Sequence, residues 1–105
     1  MPGAKLPEYA TQGAAGFDLC TLEEVRMVPG LVEKVRTGLC MEVPVGYELQ
    51  IRPRSGMAKR GVIVANSPGT IDSDYRGEIC ILLKSDVGVD IPAGTRIAQG
   101  VLQKV

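Results

Sequence analysis

Hydrophobic and polar residues alternate along much of the chain, which is the pattern of strands with one buried face. Within residues 47–52, Tyr47, Leu49 and Ile51 share one face and polar residues share the other. Other short apolar runs, rich in β-branched residues, predict further strands at residues 39–43, 61–65, 78–83, 87–91 and 101–105. The run 78–83 is apolar enough to predict a strand that is buried on both faces.

Turn signals separate these runs. They are Val28-Pro29-Gly30, Pro44-Val45-Gly46 and Pro92-Ala93-Gly94, in which Pro sets the φ of the corner and Gly accepts the positive φ that closes it. A short helical turn is predicted only at residues 55–60, and no segment has the long helical period that a βαβ unit needs. The sequence therefore predicts an all-β sandwich or barrel, as a single domain over residues 1–105.

Composition narrows the chemistry. The chain has 105 residues, with 12 Lys and Arg against 12 Asp and Glu and no His. A net charge of zero disfavours nucleic acid or an anionic membrane as the main partner, and no apolar run reaches the length of a membrane span. Without His, a Ser-His-Asp or Cys-His centre and a His-bearing zinc site are excluded, so a general base must be Asp, Glu, Lys, Tyr or Cys.

Three cysteines occur in the chain, at positions 20, 40 and 80. Their spacing matches neither a CxxC redox pair nor a metal-binding knuckle. We therefore expect reduced and mostly buried thiols, which are typical of the cytoplasm.

The densest polar segment, residues 69–78, lies between two apolar runs and contains Asp72, Asp74, Tyr75 and Arg76. Binding residues often occupy loops that rigid strands hold in place. A solvated hairpin tip with an Asp-rich turn is the alternative interpretation.

A second polar segment follows the predicted strand 47–52 and reads Arg52-Pro53-Arg54-Ser55-Gly56. Backbone N–H groups at the start of a helical turn, next to a Ser hydroxyl and a guanidinium, are suited to binding an anion. The alternative is an ordinary Ser N-cap with surface arginines.

Four motifs, taken together and in order, closely resemble those of the trimeric dUTP pyrophosphatase (dUTPase) family. They are Ala15-Gly16-Phe17-Asp18-Leu19, Pro53-Arg54-Ser55-Gly56-Met57-Ala58, Asn66 with Gly69-Thr70-Ile71-Asp72-Ser73-Asp74-Tyr75-Arg76-Gly77, and Gly94-Thr95-Arg96-Ile97-Ala98-Gln99. The resemblance implies a distorted jelly-roll-like β-barrel, the dUTPase-like β-clip, with one short helical turn. It also implies Mg²⁺-dependent hydrolysis of dUTP to dUMP and pyrophosphate by a cytoplasmic homotrimer (in the host cytoplasm if the source is a phage or virus) with sites at subunit interfaces.

The resemblance also assigns roles to individual residues. Asp72 matches the carboxylate that activates the attacking water, and Tyr75 matches the ring that packs against deoxyribose and excludes a 2′-hydroxyl. Asp18 matches the carboxylate that reaches the metal through water. The uracil-reading positions are Asn66 and the nearby hairpin backbone at Gly69 and Ile71, and the phosphate-contacting positions are Arg54, Ser55, Gly56 and Gln99.

Two departures from the family pattern affect these expectations. Thr95 stands where the fourth motif usually has Asp. Family members continue into a glycine-rich arm that closes over the substrate of a neighbouring subunit, and no segment of residues 1–105 resembles this arm.

Two alternatives therefore stay open: a weakly active or inactive nucleotide-binding or interaction module of the same fold, and an enzyme of the related dCTP deaminase branch. Ser55-Gly56 favours the dUTPase branch over the deaminase branch.

Overall fold

Antiparallel strands dominate the part of the chain that the computed structural model describes, namely residues 1–4, the backbone of Glu8 and Tyr9, and residues 15–105. In order the elements are β1 (Glu8–Tyr9), β2 (Phe17–Cys20), β3 (Val25–Met27), β4 (Val32–Arg36), β5 (Tyr47–Pro53), α1 (Ser55–Lys59), β6 (Val62–Val64), β7 (Gly69–Ile71), β8 (Cys80–Ser85), β9 (Val89–Ile91) and β10 (Arg96–Lys104). The all-β prediction and the short helical turn are confirmed. The single domain over residues 1–105 stays a prediction, since residues 5–7 and 10–14 lie outside the described residues.

The largest sheet has the strand order β1-β2-β10-β5-β7. Its central strand, β10, pairs with β2 on one side and with β5 on the other. Gln99 of β10 is thereby aligned with Asp18 of β2 and with Arg52 of β5. On its other edge β5 pairs with β7, with Leu49 opposite Ile71 and Ile51 opposite Gly69. These two registers position the candidate site residues.

Two smaller sheets complete the fold. One has the order β4-β8-β6, and the other consists of β3 and β9. Strand β8 alternates between buried and half-buried positions: Ile81 and Leu83 are each 1% exposed, whereas Leu82 is half-buried. The predicted burial of residues 78–83 on both faces is therefore not met within the protomer, because the outer face of β8 is only half-buried there.

The predicted turns are confirmed. The N–H groups of Leu31, Tyr47 and Thr95 donate to the carbonyl oxygens three residues earlier, at 3.1, 3.0 and 3.3 Å. In the second turn the φ of Gly46 is +88°, a backbone conformation that residues with a side chain rarely adopt.

The predicted strand at residues 39–43 is wrong. Thr37 and Leu39 both bond the main chain of Ile79: the Thr37 N–H donates to the Ile79 carbonyl at 3.3 Å, and the Ile79 N–H donates to the Leu39 carbonyl at 2.8 Å. A φ of +73° at Gly38 turns the backbone between them. The segment still contributes to the core through Val43, which is 2% exposed, so its apolar pattern indicated burial correctly but the wrong local structure.

The cysteines depart from expectation in part. Cys20 and Cys80 are half-buried, but Cys40 is exposed. The expectation of mostly buried thiols is therefore wrong for Cys40, which follows the irregular turn at Gly38 rather than a core strand.

We expect Gly100→Ala to destabilise the fold by about 1–3 kcal/mol. A Cβ at Gly100 would lie 2.6 Å from Cε2 of the buried Phe17 ring and 3.1 Å from Cδ1 of Leu49. Urea unfolding at matched protein concentration measures the change. Gly88→Ala is the control, because its Cβ would meet nothing closer than 3.8 Å. Equal midpoints for the two variants would contradict the packing described for Gly100.

Candidate active site

The sequence-predicted site residues form two separate groups in the protomer. The first, here the Asp18 group, comprises Asp18, Arg54, Ser55, Gly56 and Gln99. The second, here the Asp72 group, comprises Asn66, Gly69, Ile71, Asp72 and Tyr75. Strand pairing brings the members of each group together and holds the two groups apart.

The centre of the Asp18 group is a buried carboxylate between two arginines. Asp18 is 9% exposed, and its Oδ1 accepts a hydrogen bond from Nε of Arg54 at 3.0 Å. Nε of Arg96 lies 3.8 Å from its Oδ2. Two guanidiniums against one carboxylate leave an excess of positive charge, which compensates the burial of Asp18 and favours binding of a further anion.

Arg96 is a member of this group that the sequence prediction missed. It lies in the fourth motif, between Thr95 and Ile97, and begins β10, where it pairs with Cys20 of the neighbouring strand. Its position within the fourth motif was the feature that could have identified Arg96 as a site residue. Its proximity to Asp18 could not be predicted, because it depends on the register of β10 against β2.

The helical turn presents Ser55 and Gly56 to solvent. Arg54 is the N-cap residue and makes no side-chain capping hydrogen bond, and Ser55 is the first helical residue. The alternative interpretation of Ser55 as an ordinary N-cap is therefore wrong. A Cβ at Gly56 would meet only Nη1 of Arg54, at 3.7 Å, so the surface at Gly56 is open.

The Asp72 group lies on β7 and on the loop that follows it, except for Asn66, which lies in the loop before β7. The side chain of Asn66 packs against Gly69, where an added Cβ would lie 3.3 Å from Nδ2 of Asn66. The loop closes as a turn in which the Tyr75 N–H donates to the Asp72 carbonyl at 3.1 Å. Nη1 of Arg76 donates to the Ser73 carbonyl at 2.7 Å, which is a second hydrogen bond within the loop.

A cavity of about 610 Å³ opens beside this loop. Its volume is within the range of small-molecule sites. Asp72 is exposed at the cavity and Tyr75 is 42% exposed. The lining residues are Lys34, Arg36, Thr70, Ile71, Asp72, Tyr75, Glu78 and Cys80. Asn66 and Gly69 do not line this cavity.

A charged pair forms part of the cavity wall. Nη2 of Arg36 donates to Oε1 of Glu78 at 2.9 Å. This hydrogen bond lowers the pKa of the Glu78 carboxyl and raises the pKa of Arg36, so the pair stays ionised at neutral pH. Burial raises the pKa of the nearby Cys80 thiol, which keeps the thiol protonated there. None of Lys34, Arg36, Glu78 and Cys80 was predicted as a site residue from the sequence. Lys34 and Arg36 come near Asp72 only through the β4–β8 pairing.

Strand β5 separates Asp72 from Arg54. Leu49, near one end, is opposite Ile71 of the Asp72 group, and Arg54 follows directly after the other end at Pro53. The five residue steps from Leu49 to Arg54 span roughly 17 Å at the rise of an antiparallel strand. A single protomer therefore does not bring Asp72 to the arginines of the Asp18 group.

The side chains available as ligands indicate how the protein would hold a magnesium ion. Among the described residues no three His, Cys, Asp or Glu side chains are grouped as metal ligands. Asp18 is the carboxylate of its group, with one oxygen hydrogen-bonded to Arg54 and the other close to Arg96. Magnesium usually keeps several waters and binds through one or two carboxylates together with substrate phosphates. The residues present fit an ion that the phosphates carry and that Asp18 contacts indirectly.

Solved structures define the class of protein. The chain superposes on a mutant dUTPase from phage phi11 of Staphylococcus aureus with a TM-score of 0.93, covering 100% of this chain and 86% of that chain at 21% identity. That phage protein coordinates a structural Mg(II) ion. The dUTPase from Streptococcus mutans is 35% identical, with a TM-score of 0.87 over 94% of this chain and 84% of that chain. The fold is therefore the jelly-roll-like β-clip of dUTPases, as predicted.

Sequence comparison identifies the family. The dUTPase family model matches residues 3–105. Deoxyuridine 5'-triphosphate nucleotidohydrolase of Helicobacter pylori (strain Shi470) is 52% identical over 98% of this chain and 73% of its own length. The protein of the same name from Chlamydia caviae is also 52% identical, over 98% of this chain and 74% of its own length. The chain belongs to the dUTPase family.

We expect Gly77→Ala to displace the Tyr75 ring, because a Cβ there would lie 2.6 Å from the Tyr75 hydroxyl oxygen and 2.8 Å from Cζ. The chain has three tyrosines, so ¹⁹F NMR of protein labelled with 3-fluorotyrosine, assigned with Tyr→Phe variants, reports on Tyr75 separately. The Tyr75 resonance should shift in Gly77→Ala and stay in place in Gly88→Ala. An unmoved resonance in Gly77→Ala would show that the ring does not lie over Gly77.

Proposed function

We propose that the chain hydrolyses dUTP to dUMP and pyrophosphate, with Asp72 activating a water for attack at the α-phosphorus. The observation that carries this proposal is family membership over residues 3–105, together with a cavity that has Asp72 and Tyr75 on its wall. The relatives' names do not favour the dCTP deaminase or inactive-module alternatives.

Asp72 has the features that a general base needs. Its carboxylate is exposed, it lies at the end of β7, and the loop bond from the Tyr75 N–H holds its backbone. With no His in the chain, an exposed carboxylate at a cavity is a suitable acceptor for the proton of the attacking water. Asp74, two residues further on, does not line this cavity and is assigned no catalytic role.

The remaining Asp72-group residues would select the nucleoside. Tyr75 would pack against deoxyribose and leave no room for a 2′-hydroxyl. Asn66 and the backbone of Gly69 and Ile71 would read uracil. Gly69 is buried against Ile51, which is consistent with a close backbone approach that a side chain would obstruct.

The Asp18 group would bind the triphosphate. Arg54, Ser55, Gly56 and Gln99 are the proposed contacts, and the excess positive charge around Asp18 supports them. Bound Mg²⁺ would supply charge neutralisation on the phosphates. Asp18, the carboxylate of this group, would orient the ion through a water molecule that the ion keeps.

The separation of the two groups requires that each site be shared. We propose a homotrimer in which the Asp72 group of one subunit meets the Asp18 group of another. The roughly 17 Å between Asp72 and Arg54 within a protomer supports this arrangement, and so does the incompletely covered outer face of β8. Closed rings of identical subunits are a common way to cover such faces.

Other partners and location follow from the substrate. A free nucleotide substrate is consistent with the cytoplasm, or the host cytoplasm for a phage or viral source. Neither nucleic acid nor a membrane is proposed as a partner. Among the described residues, no helix has the length and apolar character needed to cross a membrane.

The direct test is pyrophosphate release from dUTP with Mg²⁺, beside dTTP, dCTP and UTP. We expect turnover of dUTP far above the others, and Asp72→Asn should lower it by about 10³-fold because the base is lost. Size-exclusion chromatography should show an unchanged oligomer.

Asp74→Asn is the matched control, since it removes the neighbouring exposed carboxylate from the same loop. It should turn over dUTP close to the parent rate. Absence of dUTP turnover by the parent protein at high concentration would overturn the proposed function. Parent rates in Asp72→Asn would show that the base is misassigned.

A further inference from the structure

Tyr75 is held through Glu78, near the end of its own loop, and Glu78 is in turn paired with Arg36 of β4. Neither Glu78 nor Arg36 belongs to the four motifs. We propose that Glu78 and Arg36 are positioning residues that fix Tyr75 for recognition of the sugar. This inference rests on the proposed function, since it takes Tyr75 to be the residue that contacts deoxyribose.

The Glu78 carboxylate is clamped by the end of β4. Nε of Arg36 lies 3.1 Å from both carboxylate oxygens, and Nη2 lies 2.9 Å from Oε1. The N–H of Gly38 donates to Oε2 at 3.1 Å. Both oxygens are therefore used, and one segment of chain supplies all of these donors.

The next residue is fixed by the same segment. The Thr37 hydroxyl donates to the Ile79 carbonyl at 2.7 Å in a buried environment. The Ile79 N–H donates to the Leu39 carbonyl at 2.8 Å. Residues 36–39 thus hold both Glu78 and Ile79, where the loop re-enters the sheet.

Glu78 transmits this restraint to the ring. The Tyr75 hydroxyl donates to the Glu78 backbone carbonyl at 2.7 Å, and the ring lies over Gly77. The carboxylate of Glu78 is thus bound to residues at the end of β4, while the backbone carbonyl of Glu78 accepts the hydrogen bond from the Tyr75 hydroxyl. Without the carboxylate clamp, the carbonyl and the ring could move together.

Stabilisation of the fold does not account for this pair. The side chains of Arg36 and Glu78 are 42% and 23% exposed, and ion pairs with such exposure contribute little to the free energy of unfolding. The bidentate geometry fixes direction as well as distance. Small displacements of a residue that contacts substrate can reduce turnover strongly. The pair therefore affects the position of Tyr75 more than the stability of the chain.

The test is Glu78→Gln in the full protein. The amide keeps one oxygen but places an NH₂ group against the Arg36 or Gly38 donors, which loosens the clamp without removing bulk. We expect kcat/KM for dUTP to fall by roughly ten- to a hundredfold, mainly through KM, while UTP changes less. The preference for dUTP over UTP should narrow accordingly. Arg36→Met, which keeps an unbranched side chain but removes the guanidinium, should give the same pattern.

Glu23→Gln is the matched control. Oε1 of Glu23 lies 3.4 Å from Nη1 of the same arginine, but among the hydrogen bonds of the described residues Glu23 makes none to the loop. The Glu23→Gln variant should keep the preference for dUTP over UTP and the melting temperature close to those of the parent protein. An equal loss of dUTP and UTP turnover in Glu78→Gln, or the same narrowing in Glu23→Gln, would overturn the proposal.

A readout independent of turnover separates this inference from the proposed function. The ¹⁹F resonance of fluorotyrosine at position 75 should shift in Glu78→Gln and Arg36→Met and remain fixed in Glu23→Gln. If the parent protein fails to hydrolyse dUTP, the proposed function fails and this measurement still decides whether the pair positions Tyr75. A resonance that does not move in either pair variant would overturn the inference.

Discussion

The pairing of β5 with β10 on one edge and with β7 on the other determines where every candidate site residue lies. The β10 register aligns Gln99 with Asp18 and Arg52, which places the Asp18 group at the end of β5 near Arg54. The β7 register aligns Leu49 with Ile71, which places Asp72 near the opposite end. A strand cannot shorten, so Asp72 and Arg54 stay roughly 17 Å apart in one protomer. The chemistry proposed for them therefore requires a second copy of the chain.

Charge is arranged differently in the two groups. In the Asp18 group, Arg54 and Arg96 surround one buried carboxylate, so a multiply charged anion meets donors that are already oriented. Beside the Asp72 group, Arg36 is paired with Glu78, and Asp72 is left exposed. A chain without His thus separates an anion-binding region from an exposed carboxylate, and the association of subunits would combine them.

Local patterns predicted much of this fold. The alternation in residues 47–52 identified β5, and the Pro-and-Gly turns were found where the structure has them. Prediction failed where contacts distant in sequence decide the local structure. Residues 39–43 have an apolar pattern typical of a strand, but Ile79 and the turn at Gly38 hold the start of this segment in an irregular conformation.

Prediction of the candidate site was limited in the same way, by contacts between residues that are distant in sequence. Its residues were named from motifs, but the Arg54–Asp18 contact joins positions 36 residues apart and the Arg36–Glu78 contact joins positions 42 apart, so neither could be derived from spacing.

Subunit complementation tests the shared site most directly. Asp72→Asn and Arg54→Gln, each expected to be nearly inactive alone, would be unfolded together, refolded as a mixture and assayed for pyrophosphate release from dUTP. If one subunit supplies Asp72 and another supplies Arg54, random mixing leaves about a quarter of the sites with both native residues, and activity should recover to about that fraction of the parent. Native mass spectrometry would verify that mixed oligomers form. Mixed oligomers with no more activity than the separate variants would contradict a site divided between subunits.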